Sequence, residues 1–166
     1  MNRDELRAAQ APLKEKYRND PAAALITLRA SGALGAEVSC SIETGRALVQ
    51  AGLHAATGGS GLAVCSGDML LQALVACAGV TLNAVSTSLG IAVRGGTISA
   101  EGDLDFRGTL GVSKDAPVGF RDVRLLIDID TDASPAEKDK LLELTQRYCV
   151  VLQTLRQSPT LEARYV

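Results

Sequence analysis

Two cysteines occupy positions suited to thiol chemistry. Cys77 lies midway along a run of small apolar residues, and Cys149 lies where a charged segment gives way to an apolar one. We expect Cys77 to be buried in an apolar helix and Cys149 to begin a helix. Thiol chemistry depends on the thiolate, which helix N-termini favour and apolar surroundings disfavour. The positions therefore predict a pair of unlike thiols, although both residues also fit a purely structural role, since free cysteine commonly packs as a small buried residue.

The remaining cysteines and the single histidine are weaker candidates. Cys65 precedes a predicted helix and is either an alternative resolving thiol or a bystander. Cys40 lies on a predicted strand whose residues alternate between inward and outward positions, and we expect it to be a core residue. No two cysteines have the CxxC spacing of a metal site, and His54 lies in a loop-like stretch, as surface histidines do. The sequence therefore calls for no metal and no cofactor.

Composition limits the classes of partner. The 166 residues carry a formal net charge of -2, and the basic side chains are scattered rather than clustered. Such a chain has no electrostatic footprint for nucleic acid or an anionic membrane. The first residues are charged and no apolar segment typical of a secretory signal follows, so we expect a cytoplasmic protein. In that reducing compartment the cysteines are expected to be thiols.

The N-terminal half predicts a helix and a hairpin before the central element. Residues 3–18 have the pattern of a polar helix, and we assign residues 1–20 to an accessory N-terminal helix and residues 21–166 to the main domain. Strand-like runs follow at residues 25–29 and 36–42, with a turn predicted over Gly32, Ala33, Leu34 and Gly35. A short third strand candidate covers residues 46–49.

The central element is a long apolar helix. Residues 68–89 are apolar or small on nearly every face, with Ser66 as the N-cap and Gly90 as the stop. Several polar side chains argue against a membrane span, so protein must surround the helix. Because this chain has little material for that purpose, we expect a second copy of the subunit to supply the rest.

The C-terminal half predicts two strands and two helices. Residues 98–105 alternate between an apolar face and a wet face, and residues 123–130 provide an antiparallel partner. Ser134 and Glu137 form a capping box with proline at the first helical position. A short helix over 149–156 and a last strand over 160–165 complete an α+β fold. The wet face carries an acidic row that we interpret as solvated rather than as a metal site: Glu101, Asp103 and Asp105.

Several segments carry a recognisable pattern. They read DMLLQALVAC (68–77), DFRGTLGV (105–112), PVGF (117–120), RYC (147–149) and TLR (154–156). Together they resemble the OsmC/Ohr family of thiol-dependent hydroperoxide reductases and its uncharacterised relatives. The resemblance covers roughly residues 23–166. It implies antiparallel sheets wrapped around a long buried central helix in an intertwined homodimer, with each active site near the subunit interface.

The resemblance also implies an activity. Cys77 would attack an organic hydroperoxide, Cys149 would resolve the resulting sulfenic acid as a disulfide, and an external dithiol would reduce that disulfide. Asp68, nine residues before Cys77, corresponds to an acidic residue that activates the first thiol in the family. Its alternative role is that of a first-turn acid that complements the helix dipole.

Two departures from the family keep a second function open. The first hairpin turn carries no arginine, although Arg29 and Arg46 are nearby in sequence, and Val150 replaces the proline common after the second cysteine. The alternative is a non-catalytic binding module that holds a small lipophilic or electrophilic ligand at the dimer interface. A purely structural dimer is the third possibility.

Overall fold

The computed structural model describes residues 3–35, 39–42, 51–62 and 64–165. Within these residues the α-helices are α1 (Arg3–Asn19), α2 (Ser66–Leu89), α3 (Phe106–Thr109), α4 (Pro135–Tyr148) and α5 (Val150–Arg156). The strands are β1 (Leu25–Gly35), β2 (Ser39–Ile42), β3 (Ala51–Gly52), β4 (Val64–Cys65), β5 (Gly95–Asp105) and β6 (Phe120–Asp130). Four strands form a sheet in the order β2-β1-β5-β6, and β3 pairs with β4 in parallel. The predicted α+β class is confirmed.

The chain forms two compact units. Unit 1 comprises Met1–Ala30, Thr44–Gln72 and Ala100–Leu125, and unit 2 comprises Ser31–Glu43, Ala73–Ser99 and Leu126–Val166. Several elements contribute residues to both, and the two cysteines of interest belong to unit 2.

Helix α1 packs within unit 1 on a single turn of 3-10 helix (Ala55–Thr57). Tyr17, only 2% exposed, donates a hydrogen bond from its hydroxyl to the carbonyl of Ala56 at 2.8 Å. The amide of Gln10 donates to the carbonyl of Thr57 at 3.3 Å. These contacts fix one face of the helix, while the boundary between residues 20 and 21 stays a prediction.

The first hairpin is confirmed, but its turn was predicted in the wrong place. Strand β1 continues through Gly35, and its last residues pair antiparallel with β2, with Gly32 opposite Ile42 and Gly35 opposite Ser39. Pairing with β2 provides the backbone of this glycine-containing stretch with interstrand partners, which overrides its local turn preference. The strand candidate at residues 46–49 lies outside the described residues.

Helix α2 ends where predicted but starts two residues earlier, because Ser66 is its first helical residue rather than its N-cap. It ends at Leu89, and Gly90 follows with φ 71°, the left-handed conformation that glycine adopts readily. Side chains at helical spacing form its buried face: Leu71, Leu74, Val75, Ala78 and Leu82. The helix has the length and composition of a membrane span, with a mean hydropathy of 1.7, but half of that window is buried within the protein, as in the core helix of a soluble protein.

Strand β5 has the predicted alternation of buried and less buried residues, but its acidic row is not a solvated face. The guanidinium of Arg124 lies 3.2 Å from a carboxylate oxygen of Glu101 and 2.5 Å from one of Asp103. Asp105 is almost fully buried and pairs with Arg107 at 2.5 Å. Arginine at two nearby positions neutralises the row, which explains how these carboxylates tolerate partial or complete burial.

Helix α4 begins at the predicted capping box. The Ser134 hydroxyl accepts the backbone N–H of Glu137, and the Glu137 carboxylate accepts the backbone N–H of Ser134 at 2.8 Å. Leu141 and Thr145 are buried on this helix. The predicted final strand is wrong: residues 160–165 have no regular structure and are exposed, because none of the strands in the described part of the chain pairs with them.

Candidate functional site

Cys149 is the single residue that joins α4 to α5. Its backbone N–H donates to the carbonyl of Thr145 at 3.0 Å, which closes the last turn of α4. Its own carbonyl accepts the N–H of Gln153 at 2.9 Å, which opens α5. With φ -70° and ψ 104°, the residue leaves the helical conformation only on its C-terminal side. Cys149 therefore caps both helices, and the predicted helix start at this residue is confirmed.

The junction brings Cys149 to Cys77 of α2. The Cys149 thiol and the hydroxyl of Thr81 both donate hydrogen bonds to the Cys77 sulfur. The backbone N–H groups of Val150 and Val151 donate to the same atom. These two residues begin α5, where the N–H groups have no partner within the helix. The sulfur of Cys77 thus lies at the electropositive end of α5.

The two thiols ionise differently. Burial raises the pKa of Cys77, but the four hydrogen bonds outweigh burial and bring this pKa below its usual value. Burial also raises the pKa of Cys149, to about 11. The backbone N–H groups of Leu152 and Val151 lower it in part, whereas the hydrogen bond and the negative charge of Cys77 raise it further. Cys77 is therefore the thiol that ionises first.

This arrangement corrects the sequence-based expectation about the two environments. Cys149 is the deeper thiol, with 0% exposure, and Cys77 is only half-buried. The helix N-terminus next to Cys149 in the sequence aims its first two N–H groups at Cys77. The reason is geometric: N-terminal N–H groups point along the helix axis, towards whatever side chain lies in front of it.

Sequence reasoning missed three donors to the Cys77 sulfur. Thr81 follows Cys77 by four residues on α2, and such side chains share one helix face. Helical spacing was therefore a usable signal for Thr81. Val150 and Val151 contribute through their backbones, so their residue types carry no signal, and only the position of α5 reveals them.

Asp68 lies in unit 1, in the first turn of α2. With His54, Cys65 and Gln72 it lines a cavity of about 400 Å³. Burial raises the pKa of Asp68, and the nearby charge of His54 lowers it in part. The structure therefore places Asp68 beside His54, Cys65 and Gln72 in unit 1, whereas Cys77 and Cys149 belong to unit 2.

His54 is not the surface residue that the sequence suggested. Its ring is half-buried and stacks on Phe106 with the centroids 5.1 Å apart. Its Nδ1 accepts the backbone N–H of Ala56 at 3.0 Å, so His54 caps the adjacent 3-10 turn. This is a structural role that a loop-like sequence context does not reveal.

A second, more apolar cavity of about 370 Å³ also belongs to unit 1. Most of the larger side chains that line it are apolar: Leu53, Leu70, Leu104, Phe106, Val118 and Phe120. His54 and Cys65 line this cavity as well as the one beside Asp68. Cys65, half-buried, is thus the thiol accessible from both.

The arginines suggested by sequence proximity are not placed. Arg29 lies in β1, but its side chain, together with all of Arg46, lies outside the described residues. The same holds for the side chain of Cys40, whose backbone pairs with Leu34. Within the described part of the chain, no cluster of three or more His, Cys, Asp or Glu side chains is arranged to hold a metal ion.

Comparisons with known proteins agree with this fold. The family model described as OsmC-like protein matches residues 58–164. Among solved structures, an OsmC-like hydroperoxide resistance protein from Jannaschia sp. CCS1 is similar, with a TM-score of 0.61 and 16% sequence identity over 86% of this chain and 94% of that chain. No protein of curated function matches the chain in sequence. The family match covers most of the chain, including both cysteines of the pair, and the chain therefore belongs to the OsmC-like protein family.

Proposed function

We propose that this protein is a thiol-dependent peroxidase that reduces organic hydroperoxides in oxidative-stress defence. The observation that carries the proposal is the convergence of four donors on the Cys77 sulfur. A peroxidatic thiol must be available as thiolate, and uncharged donors with a helix N-terminus provide this without a cation. The membership in the OsmC-like family and the hydroperoxide resistance protein of similar fold agree with this chemistry.

In the first step, the Cys77 thiolate attacks one peroxide oxygen. The S–O bond forms as the O–O bond breaks, which yields a sulfenic acid at Cys77 and an alcohol once the departing alkoxide has taken up a proton. Residues close to the two cysteines in the chain expose apolar side chains: Val80 three residues after Cys77 on α2, and Tyr148 and Val150 on either side of Cys149. This apolar surface favours an organic hydroperoxide over the small, polar hydrogen peroxide.

In the second step, Cys149 attacks the sulfur of the sulfenic acid. The disulfide forms and water leaves, carrying the proton of Cys149 and the hydroxyl of Cys77. While Cys77 is a thiolate, its charge and hydrogen bond hold the proton on Cys149. Oxidation removes that negative charge, so the pKa of Cys149 falls when a thiolate is needed there. The pair thus orders its own two steps, and an external dithiol then reduces the disulfide.

Asp68 remains a proposed third catalytic residue on α2. Because burial raises its pKa, Asp68 retains a proton to higher pH than a solvated aspartate does. A carboxyl group of this kind is suited to donate a proton to a departing alkoxide. In the alternative role, Asp68 only complements the dipole of α2. Replacement of Asp68 would then leave turnover unchanged.

We infer a cytoplasmic homodimer as the working form, with neither nucleic acid nor a membrane as partner. Its support is the apolar surface left exposed in this chain by residues that include Val80, Leu89 and Leu155. Exposed apolar side chains mark an interface where they form one contiguous patch, which is the arrangement that we infer for these residues. Sedimentation equilibrium over a range of concentrations tests this, and a monomer at micromolar concentration contradicts it.

Stopped-flow oxidation with cumene hydroperoxide tests the activity. Wild type is expected to form a disulfide, Cys149→Ser to stop at a sulfenic acid after one turnover, and Cys77→Ser to consume no peroxide. Cys65→Ser is the matched control, because Cys65 is also half-buried and is expected to leave the rate unchanged. If Cys77→Ser retains full peroxide consumption, the mechanism is wrong.

A second candidate function is a binding module for a small lipophilic or electrophilic molecule. The observation in its favour is the largely apolar cavity of about 370 Å³ in unit 1, reached by the Cys65 thiol. Its predicted place at a dimer interface stays a prediction. Binding without turnover predicts that an apolar electrophile raises the melting temperature and labels Cys65, and that cumene hydroperoxide is not consumed.

A further inference from the structure

Thr145 has a buried hydroxyl group that finds no hydrogen-bond partner among the described residues. Its side chain is 0% exposed, and its Oγ1 makes no hydrogen bond within the part of the chain that the structure describes. Burying an unsatisfied hydroxyl is costly, and a valine of similar shape would remove that cost. Native proteins keep few such groups, and each calls for an explanation.

The position of Thr145 suggests one. Thr145 precedes Cys149 by one helical turn, and its carbonyl accepts the Cys149 N–H at 3.0 Å. Because φ at Cys149 is -70°, still helical, the Cβ of Cys149 occupies the place that a continuing helix would give it. Side chains four residues apart on one helix face have Cβ atoms about 5–6 Å apart, which brings a hydroxyl and a thiol within hydrogen-bonding reach.

We propose that Thr145 is the donor that stabilises the Cys149 sulfur while it attacks Cys77, a role that rests on the proposed disulfide chemistry. Before oxidation, the thiol of Cys149 donates a hydrogen bond to Cys77 and keeps its proton, and the threonine hydroxyl is not needed. For the attack, Cys149 gives up the proton that leaves with the hydroxyl of the sulfenic acid as water, and its sulfur carries negative charge until the S–S bond forms. A threonine hydroxyl is free to rotate and donates to that sulfur.

The experiment isolates the attack by Cys149 from the reaction with peroxide. In a background with Cys40→Ser and Cys65→Ser, dipyridyl disulfide reacts with Cys77 and releases one thiopyridone. Attack of Cys149 on the mixed disulfide releases the second thiopyridone and leaves the Cys77–Cys149 disulfide. The rate of this second release is measured against pH in Thr145→Val, in Thr145→Ser and in the unchanged background.

We expect Thr145→Val to slow the second release about threefold at neutral pH and to shift its pH profile to higher pH. Loss of a hydrogen bond to a charged group reduces the thiolate fraction about tenfold, and the greater nucleophilicity of the more basic thiolate offsets part of this loss. Thr145→Ser keeps the hydroxyl and is expected to retain the rate. The valine variant is expected to be at least as stable as the parent protein. Slower second release with an unchanged or higher melting temperature therefore supports the proposal. A second release at the parent rate overturns it.

The readout separates this inference from the proposed function. If the protein consumes no hydroperoxide but Thr145→Val still slows the second release, the peroxidase proposal fails and the role of Thr145 stands. If hydroperoxide is consumed normally and the second release is unaffected in both variants, only the role of Thr145 fails.

Discussion

Replacement of Val150 by proline removes one donor from Cys77 and leaves α5 in place. Val150 is the first residue of α5, where proline is favoured because its missing N–H has no intrahelical partner. Cys149, with φ -70° and ψ 104°, already has the extended conformation required before proline. The Val150 side chain is 70% exposed, so its loss disturbs little packing. The substitution therefore acts on the thiol and not on the fold.

The size of the effect follows from the hydrogen bond that is lost. Of the four donors, Val150 lowers the pKa of Cys77 least, so the lower end of the range for hydrogen bonds to charged groups applies, about 1.5 kcal/mol or roughly a tenfold smaller thiolate fraction. A more basic thiolate is also a better nucleophile, with a Brønsted coefficient of about 0.4–0.5. The net rate is therefore expected to fall about threefold at pH values below the pKa and to rise by a similar factor above it.

The assay is the pH–rate profile of Cys77 with dipyridyl disulfide, followed through the first thiopyridone released in the Cys40→Ser, Cys65→Ser background. Val150→Ala is the matched control, because it removes the same exposed side chain but keeps the N–H group. The profiles of the proline and alanine variants are expected to cross. If they superimpose while circular dichroism and thermal unfolding show an intact fold, the N-terminus of α5 does not set the reactivity of Cys77.

Four further results are expected. Cys149→Ala removes a donor that Cys149→Ser keeps, so single-turnover oxidation of Cys77 by cumene hydroperoxide in stopped flow should be several-fold slower in the alanine variant, and equal rates contradict the hydrogen bond. Folding raises the pKa of Cys149 from 9.0 to about 11, so the folded state holds a proton that the unfolded chain loses. This stabilisation, on the order of 2–3 kcal/mol, is present below pH 9 and lost as the pH rises towards 11, and urea unfolding should show a steeper loss in wild type than in Cys149→Ala. Asp68→Asn should lower kcat/KM for cumene hydroperoxide at least tenfold with little change in melting temperature if Asp68 is catalytic, whereas an unchanged kcat/KM assigns it to the helix dipole. Ser134→Ala should reduce the free energy of unfolding by about 1 kcal/mol in urea titrations and leave the thiopyridone release unchanged, and a changed release rate would link the α4 cap to the thiols.

The elements that the sequence predicted well are those with local determinants. The end of α2 follows from a glycine stop after an unbroken apolar run. The start of α4 follows from a capping box and a proline, each of which acts within four residues. The OsmC-like fold was predictable because several such segments occur in one order along the chain.

The features that the sequence misplaced depend on partners that are distant along the chain. Gly32–Gly35 has turn composition, yet pairing with β2 keeps it extended. Residues 160–165 have strand composition, yet none of the strands that the structure describes pairs with them. Asp105 has the alternation of a solvated residue, yet Arg107 allows it to be buried. Composition and alternation cannot report any of these contacts.

The ionisation of the cysteine pair also depends on contacts between residues that are distant along the chain. Sequence reasoning assigned the N-terminus of α5 to Cys149 because the two are adjacent in the chain. A helix N-terminus, however, stabilises the anion in front of its axis, and the first N–H groups of α5 reach the sulfur of Cys77. Cys149, the residue that joins α4 to α5, has 0% exposure and keeps its proton. The half-buried thiol is therefore also the one that ionises first, which is what a nucleophile needs if a hydroperoxide is to reach it. In the proposed reaction the inner thiol becomes reactive only when the outer one has lost its charge, so the proposed order of the two steps follows from their positions around one helix end.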